Sequence, residues 1–267
     1  MENSSLTFTV DLEDHRPDPS FPKRYPEIAR RLMTFLDERG MRATFFVLGR
    51  LAREEPRLIQ EIAEAGHEIA YHSAQHLHLT KDNHDNFLAQ SRRDIEYIAD
   101  LIGQALSGYR APAFSLTPQS GWAVDAIKSL GFKYSSSVMP VANPINGYPG
   151  APRNPFRWPN ELLEIPAAVA SVGPINLPYL GGIYLRYLPT WVIKMFLKQD
   201  RRDESRWLYC HPHDFDHQEK FFQIEGTSFL VSALLWFNRR GTFAKLERLL
   251  SSEADRNSPQ TFAEKIA

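Results

Sequence analysis

Two histidines four residues apart, His72 and His76, stand in the run His72-Ser73-Ala74-Gln75-His76-Leu77-His78-Leu79. On one helical turn that spacing would present two imidazoles to a single cation. An acidic cluster, Asp11, Glu13 and Asp14, closes the β-branched and apolar run of residues 6–12. A lone arginine, Arg110, follows Gly108-Tyr109, and His211 follows the apolar residues 208–210. Carboxylate, paired imidazoles, guanidinium and a further imidazole are polar groups that could gather around one cation. A solvated loop would account for any one of these groups alone. Four of them at strand ends of one fold converge on a single site.

The elements that must position them alternate. Residues 6–12 read as a strand, and Ile28, Leu32, Phe35 and Leu36 recur at helical spacing up to a stop at Gly40. Residues 43–48 are again strand-like, a helix runs through Leu58, Ile59 and Ile62 to Gly66, and residues 68–71 form the strand that delivers His72. A helix over about residues 85–102, a short strand at 109–111, a helix opened by Thr117-Pro118 and closed at Gly131, and a strand at 132–136 continue the rhythm. This predicts an α/β fold with a parallel sheet, open or closed into a barrel, whose ligands sit at the C-terminal strand ends.

The second half is less regular. Seven prolines between Pro140 and Pro166, with Tyr148, Phe156, Arg157 and Trp158 among them, predict a long surface loop, and long loops over a barrel mouth often shape substrate sites. Residues 162–165 and 208–211 read as later strands, with an apolar helical stretch at 191–197 between them. Residues 229–237 are apolar almost all round and predict a buried helix, too short to span a bilayer.

With 267 residues, 43% hydrophobic and 24% charged, the chain reads as one globular domain over residues 1–250, followed by a polar and frayed tail at 251–267. Thirty-one basic residues against 32 acidic ones give a net charge of −1, so there is no global basic field for nucleic acid or anionic lipid. Any charged partner must be met locally. The single cysteine, Cys210, excludes an internal disulfide and a paired-cysteine metal site, which leaves histidine and carboxylate as ligands. Met1 to Ser5 lack the basic region of a signal peptide, and the expectation is a cytoplasmic protein with no transmembrane segment.

Taken together, these runs resemble the polysaccharide deacetylases of carbohydrate esterase family 4. The resemblance rests on Thr9-Val10-Asp11-Leu12-Glu13-Asp14, the histidine run, Gly108-Tyr109-Arg110-Ala111-Pro112-Ala113-Phe114-Ser115 and Tyr209-Cys210-His211-Pro212-His213-Asp214-Phe215-Asp216. Gly181-Gly182-Ile183-Tyr184-Leu185-Arg186-Tyr187-Leu188-Pro189 is similar to a stretch of the branch that accompanies bacterial exopolysaccharide and surface-glycan assembly. The resemblance implies a distorted (β/α)7-type barrel that removes acetate from an N-acetylated sugar in a cytoplasmic glycan precursor.

It further implies Asp11 as general base, His72 and His76 as ligands of a divalent metal, and a carboxylate just after Asp11 as the third ligand. Position 12 is Leu where the commonest pattern has an aspartate. Side chains alternate along a strand, so Glu13 shares a face with Asp11, and Asp14 is the alternative that needs a bulge. Zinc suits these ligands first, with cobalt, nickel or iron also compatible. Arg110 would be the electrostatic partner of Asp11, His211 the acid for the leaving amine, and the backbone near Ala113 or Phe114 an oxyanion donor. Pro112, Phe114, Trp158 and His213 are the candidate substrate contacts. Tyr134-Ser135-Ser136-Ser137 lacks the aspartate that commonly orients the acid histidine, which leaves Asp214 or Asp216 for that task.

Overall fold

The computed structural model describes residues 6–142, 146–173, 175–199, 206–224, 228–250 and 261–267. The regular first half supplies strands β1 (Thr7–Leu12), β2 (Ala43–Val47), β3 (Glu68–Tyr71), β4 (Gly108–Tyr109) and β5 (Tyr134–Ser135). Between them run helices α1 (Tyr25–Asp37), α2 (Gly49–Glu54), α3 (Pro56–Glu64), α4 (His84–Ile102) and α5 (Ala123–Ser129). The second half adds β6 (Phe156–Arg157), β7 (Leu163–Glu164), β8 (Val169–Val172), β9 (Ile175–Pro178) and β10 (Trp207–Cys210). Its helices are α6 (Gly182–Tyr187), α7 (Thr190–Gln199), α8 (Phe229–Trp236), α9 (Thr242–Leu249) and α10 (Phe262–Ile266).

The main sheet has the order β10-β1-β2-β3-β4-β5-β7-β6. Among the described residues seven of its strands run parallel and only β6 is antiparallel, to β7. The expected seven-stranded parallel architecture is therefore present as a curled sheet. Its two ends approach each other where the indole N–H of Trp207 donates to the carbonyl of Pro166 at 2.9 Å.

Strand alternation divides the core in two. Phe8, Val10 and Leu12 of β1 face outward and pack with Ile28, Leu32 and Leu36 of α1, a stripe at helical spacing. An inner cluster gathers Phe46, Ala70, Tyr134 and Trp207. Thr9 and Asp11, of opposite parity to the outward residues, reach Arg110 in that interior.

The structure departs from the sequence expectations in three places. Residues 229–236 do form a helix, but Phe229, Leu230, Leu234 and the following Phe237 are exposed rather than buried. The proline-rich stretch carries β6, which pairs with β7 inside the expected strand of residues 162–165, and an unforeseen β8–β9 hairpin turns at Gly173, whose φ is +61°. Residues 251–260 of the expected tail lie outside the described residues. The chain end is not frayed, because Phe262 inserts into the inner cluster while Thr261 and Glu264 form a capping box on α10. The backbone N–H groups of Phe262 and Ala263 donate to Thr44 and Glu68 at the N-terminal end of the barrel.

Candidate active site

At the C-terminal end of β1, Asp11 is buried and accepts from Arg110 Nη1 at 2.5 Å. Arg110 is completely buried. Its other donors reach Thr9 Oγ1 at 3.0 Å and the carbonyl and hydroxyl of Ser136, both at 3.2 Å. Its guanidinium also lies 3.8 Å from the Phe46 ring centroid. A planar fork held on this many sides fixes the Asp11 carboxylate in one orientation.

Two residues further on, Glu13 places Oε1 3.0 Å from His72 Nε2 and 2.9 Å from His76 Nε2. His72 ends β3. Its Nδ1–H donates to the carbonyl of Arg110 at 2.8 Å, which leaves the Nε2 lone pair facing Glu13. The histidine run is not the helical turn expected. Ser73 and His76 have φ of +73° and +60°, and Ser73 Oγ accepts from the His76 N–H, so a tight loop swings the second imidazole back over the first. Burial opposes ionisation of Glu13, yet His76, His211 and His72 together hold it well below the usual carboxylate range. Donor atoms 2.9–3.0 Å apart match the edge of a coordination shell with bonds of about 2.1 Å, so Glu13, His72 and His76 fit a divalent metal of nitrogen and oxygen preference.

Asp14 is not brought to this cluster. It turns away to pair with Arg16 at 2.7 Å, and its carbonyl accepts from Arg50. Strand parity decides between the two carboxylates: Glu13 stays in phase with Asp11, and Asp14 does not.

His211 follows β10, with Nε2 3.9 Å from both Asp11 Oδ2 and Glu13 Oε1. Its Nδ1 bonds Asp214 Oδ2 at 2.9 Å, and the same oxygen accepts from the His211 backbone N–H. Asp214, not Asp216, is therefore the orienting carboxylate; Asp216 is taken by Arg24. Burial disfavours a charged His211, but Glu13, Asp214 and Asp11 outweigh it and raise the imidazole to about 9. Asp214 is itself fully buried and forms an ion pair at 2.8 Å with the equally buried Arg186 of α6. The sequence reading gave Arg186 no role, although it closes the Gly-Gly-Ile-Tyr-Leu-Arg stretch. Both glycines matter: a Cβ on Gly181 would lie 2.1 Å from the Tyr209 ring, and Gly182 has a φ of +50°.

Asp11, Glu13, His76 and His211 open into a cavity of about 460 Å³. Phe114, Tyr184, Ile183 and Leu235 form apolar wall, and His213 lines the cavity while stacking on His211 with centroids 4.6 Å apart. Ala113 and Phe114 have φ of +51° and +53° in the turn that Pro112 opens; Pro112 supports this turn from outside the cavity. Trp158 does not reach the site. It packs on Phe156 and Tyr148, with its indole N–H 3.4 Å from Glu164, because the strand pair β6–β7 anchors the segment expected to be a surface loop.

Comparison with known proteins agrees with this geometry. Residues 6–135 match the family described as polysaccharide deacetylase, and residues 136–260 match a domain of unknown function, DUF3473. Residues 6–135 thus carry a polysaccharide deacetylase domain, of the kind found in carbohydrate esterase family 4. A peptidoglycan-N-acetylglucosamine deacetylase of Bacillus cereus is 32% identical over 100 residues, covering 37% of this chain and 36% of the relative. A chitooligosaccharide deacetylase of Sinorhizobium fredii is 36% identical over 83 residues, covering 31% of this chain and 32% of the relative. The matched stretch thus spans about a third of either curated relative. A crystal structure of a protein provisionally assigned as a polysaccharide deacetylase, from Mycobacterium smegmatis, superposes with a TM-score of 0.59 at 21% identity, covering 98% of this chain and 89% of that one.

Proposed function

We propose that the protein is a metal-dependent hydrolase that removes the acetyl group from an N-acetylated amino sugar. The observation that carries this reading is one cavity edged by a three-donor cluster, a clamped carboxylate and a carboxylate-oriented histidine. Glu13, His72 and His76 would hold the cation, zinc being the first candidate from its ligand preferences. When bound, a divalent cation there supplies Lewis acidity toward a water and an acyl oxygen.

The remaining work falls to side chains and backbone. Asp11, oriented by Arg110, takes the proton of the attacking water. Of the two expected oxyanion donors, the Phe114 N–H is engaged with the carbonyl of Ala111 at 3.1 Å, which favours the N–H of Ala113. His211 presents Nε2 to the cavity and gives its proton to the departing amine nitrogen, while Asp214 holds Nδ1. An amine cannot leave as an anion, so the bond breaks only as that proton arrives. The apolar wall of Phe114 and Tyr184 suits a sugar face.

The finer reading, a cytoplasmic precursor in surface-glycan assembly, is supported by resemblance to the glycan-assembly branch. The test is metal content of the purified protein together with acetate release from free, nucleotide-linked, lipid-linked and polymeric N-acetylhexosamines. A divalent metal near one per chain and acetate from at least one donor are expected, with Asp11→Asn slower by about 100-fold or more. No acetate from any donor would sink the proposal, and turnover with polymeric donors alone would remove the precursor reading.

A further inference from the structure

Nine of the eleven exposed large hydrophobic side chains among the described residues fall between Ile183 and Phe237. They lie on α6, α7 and α8 and on the segments flanking α8. Tyr187 packs on Phe237 with ring centroids 5.2 Å apart, and Phe221 packs on both Phe229 and Trp236 at 5.4 and 5.2 Å. Leu230 is 68% exposed and Trp191 69% exposed, far beyond what scattered surface apolar residues show. The face reaches the rim of the candidate active site. Ile183 lines the cavity while Tyr187, one turn along α6, lies outside it; Leu235 lines it while its neighbour Leu234 is exposed.

Two stretches of this region carry cations only: no Asp or Glu stands from Ile165 to Gln199, nor from Gly226 to Leu246, and between them the described acids Asp214, Asp216 and Glu219 are each paired with an arginine. The exposed side of α7 reads Trp191, Lys194, Met195, Lys198, at spacings of three and four that form one stripe. Lys220 and Arg240 are exposed at either end of the α8 region. Aromatic and aliphatic side chains edged by cations, with no exposed acid among the described residues from Ile183 to Leu246, have the composition of surfaces that lie in a lipid headgroup boundary. Helix α8 has eight residues, and no helix of the described residues is long and apolar enough to cross a membrane, so the face would lie on the bilayer.

We propose that the α6–α8 face docks the protein on an anionic lipid surface, bringing the cavity rim to the headgroups. Charge complementarity selects this occupant. A two-fold pairing with a second copy would lay this cation-edged patch on itself, with no exposed acid among its described residues to pair the lysines. Segments 200–205, 225–227 and 251–260 hold no aromatic or branched aliphatic residue with which to cover the face. Docking does not depend on the deacetylase reading, since it is measured without turnover.

The experiment is flotation of the full chain with vesicles of phosphatidylcholine alone and of phosphatidylcholine mixed with phosphatidylglycerol. Wild type should float with the mixed vesicles and lose binding as salt rises. Lys194→Glu with Lys198→Glu should lower the bound fraction by about tenfold or more, and Leu230→Ser with Phe237→Ser should do the same, both without lowering Tm. Should the apolar pair fail to fold, the lysine pair decides. Absence of wild-type binding at low salt, or binding by both variants equal to wild type, overturns the proposal. A concentration-dependent dimer dissolved by Leu230→Ser, with no vesicle binding, overturns it in favour of a second copy.

Discussion

The two halves of the barrel meet at one mouth but bring different groups to it by different means. Residues 6–135 contribute Asp11, Glu13, His72, His76 and Arg110 from the ends of β1, β3 and β4, strands fixed on both sides by parallel register. The later half contributes His211, Asp214 and Arg186, from a short turn after β10 and from α6, fixed by a fully buried ion pair. Strand register therefore places the carboxylates, paired imidazoles and guanidinium, and buried electrostatics place His211. The serines at 135–137 show how the second side can be rewired. Ser136 serves Arg110 through its carbonyl and hydroxyl, while the carboxylate that orients His211 comes from the turn three residues after it.

The largest expected effect tests the register-placed half. Glu13→Ala leaves two facing imidazoles without their carboxylate, and metal content and acetate release should fall together, turnover by on the order of 1,000-fold. Asp14→Ala removes only a pairing with Arg16 and should leave both within about twofold of wild type. Loss of metal in the Asp14 variant would mean that β1 bulges beyond Leu12 and that register does not place the ligand.

A smaller loss tests the electrostatically placed half. Asp214→Asn should slow turnover by about 10- to 100-fold with metal content unchanged, since His211 remains but is no longer held by a charge. The acid works only while protonated, so activity falls as pH rises through its pKa. Asp214 contributes both a hydrogen bond and a charge that raise that pKa, whereas burial lowers it. Removing the charge should therefore move the alkaline fall to lower pH. Arg186→Met should weaken stability by about 3–5 kcal/mol, because it strands a buried carboxylate, and Arg186→Met in the Asp214→Asn background should cost less. An unchanged alkaline limb in Asp214→Asn would show that the ion pair is structural only.

How legible each half is follows from the same difference. Period-two strands and period-three-to-four helices mark β1 to β5 in sequence, and parity alone favours Glu13 over Asp14. The loop geometry at His76 was hidden, because a positive φ at a non-glycine residue is imposed by the surrounding fold. Arg186 was hidden for another reason: an ion pair across 28 positions leaves no periodic trace, and the arginine stands among apolar residues that read as a helix. Residues 229–237 were misplaced because an apolar run signals removal from water without saying whether a core or a partner provides it.

The smallest expected effect separates two aromatic residues that the sequence offers equally as sugar platforms. Phe114 lies at the cavity wall, 5.0 Å from the Tyr209 ring, in a turn whose strained backbone aims it there. Trp158 is held on β6–β7 by Glu164 and neighbouring rings, outside the cavity. Removing a ring that touches a bound sugar forfeits packing worth about 1–2 kcal/mol, so Phe114→Leu should raise KM by about tenfold. Trp158→Leu should shift KM by less than about twofold, the range expected of a substitution that touches no bound group. Equal shifts in the two variants would mean that the later half closes over substrate and carries Trp158 with it. A shift confined to Phe114 leaves recognition with the turn after β4, which belongs to the same half as Glu13, His72 and His76.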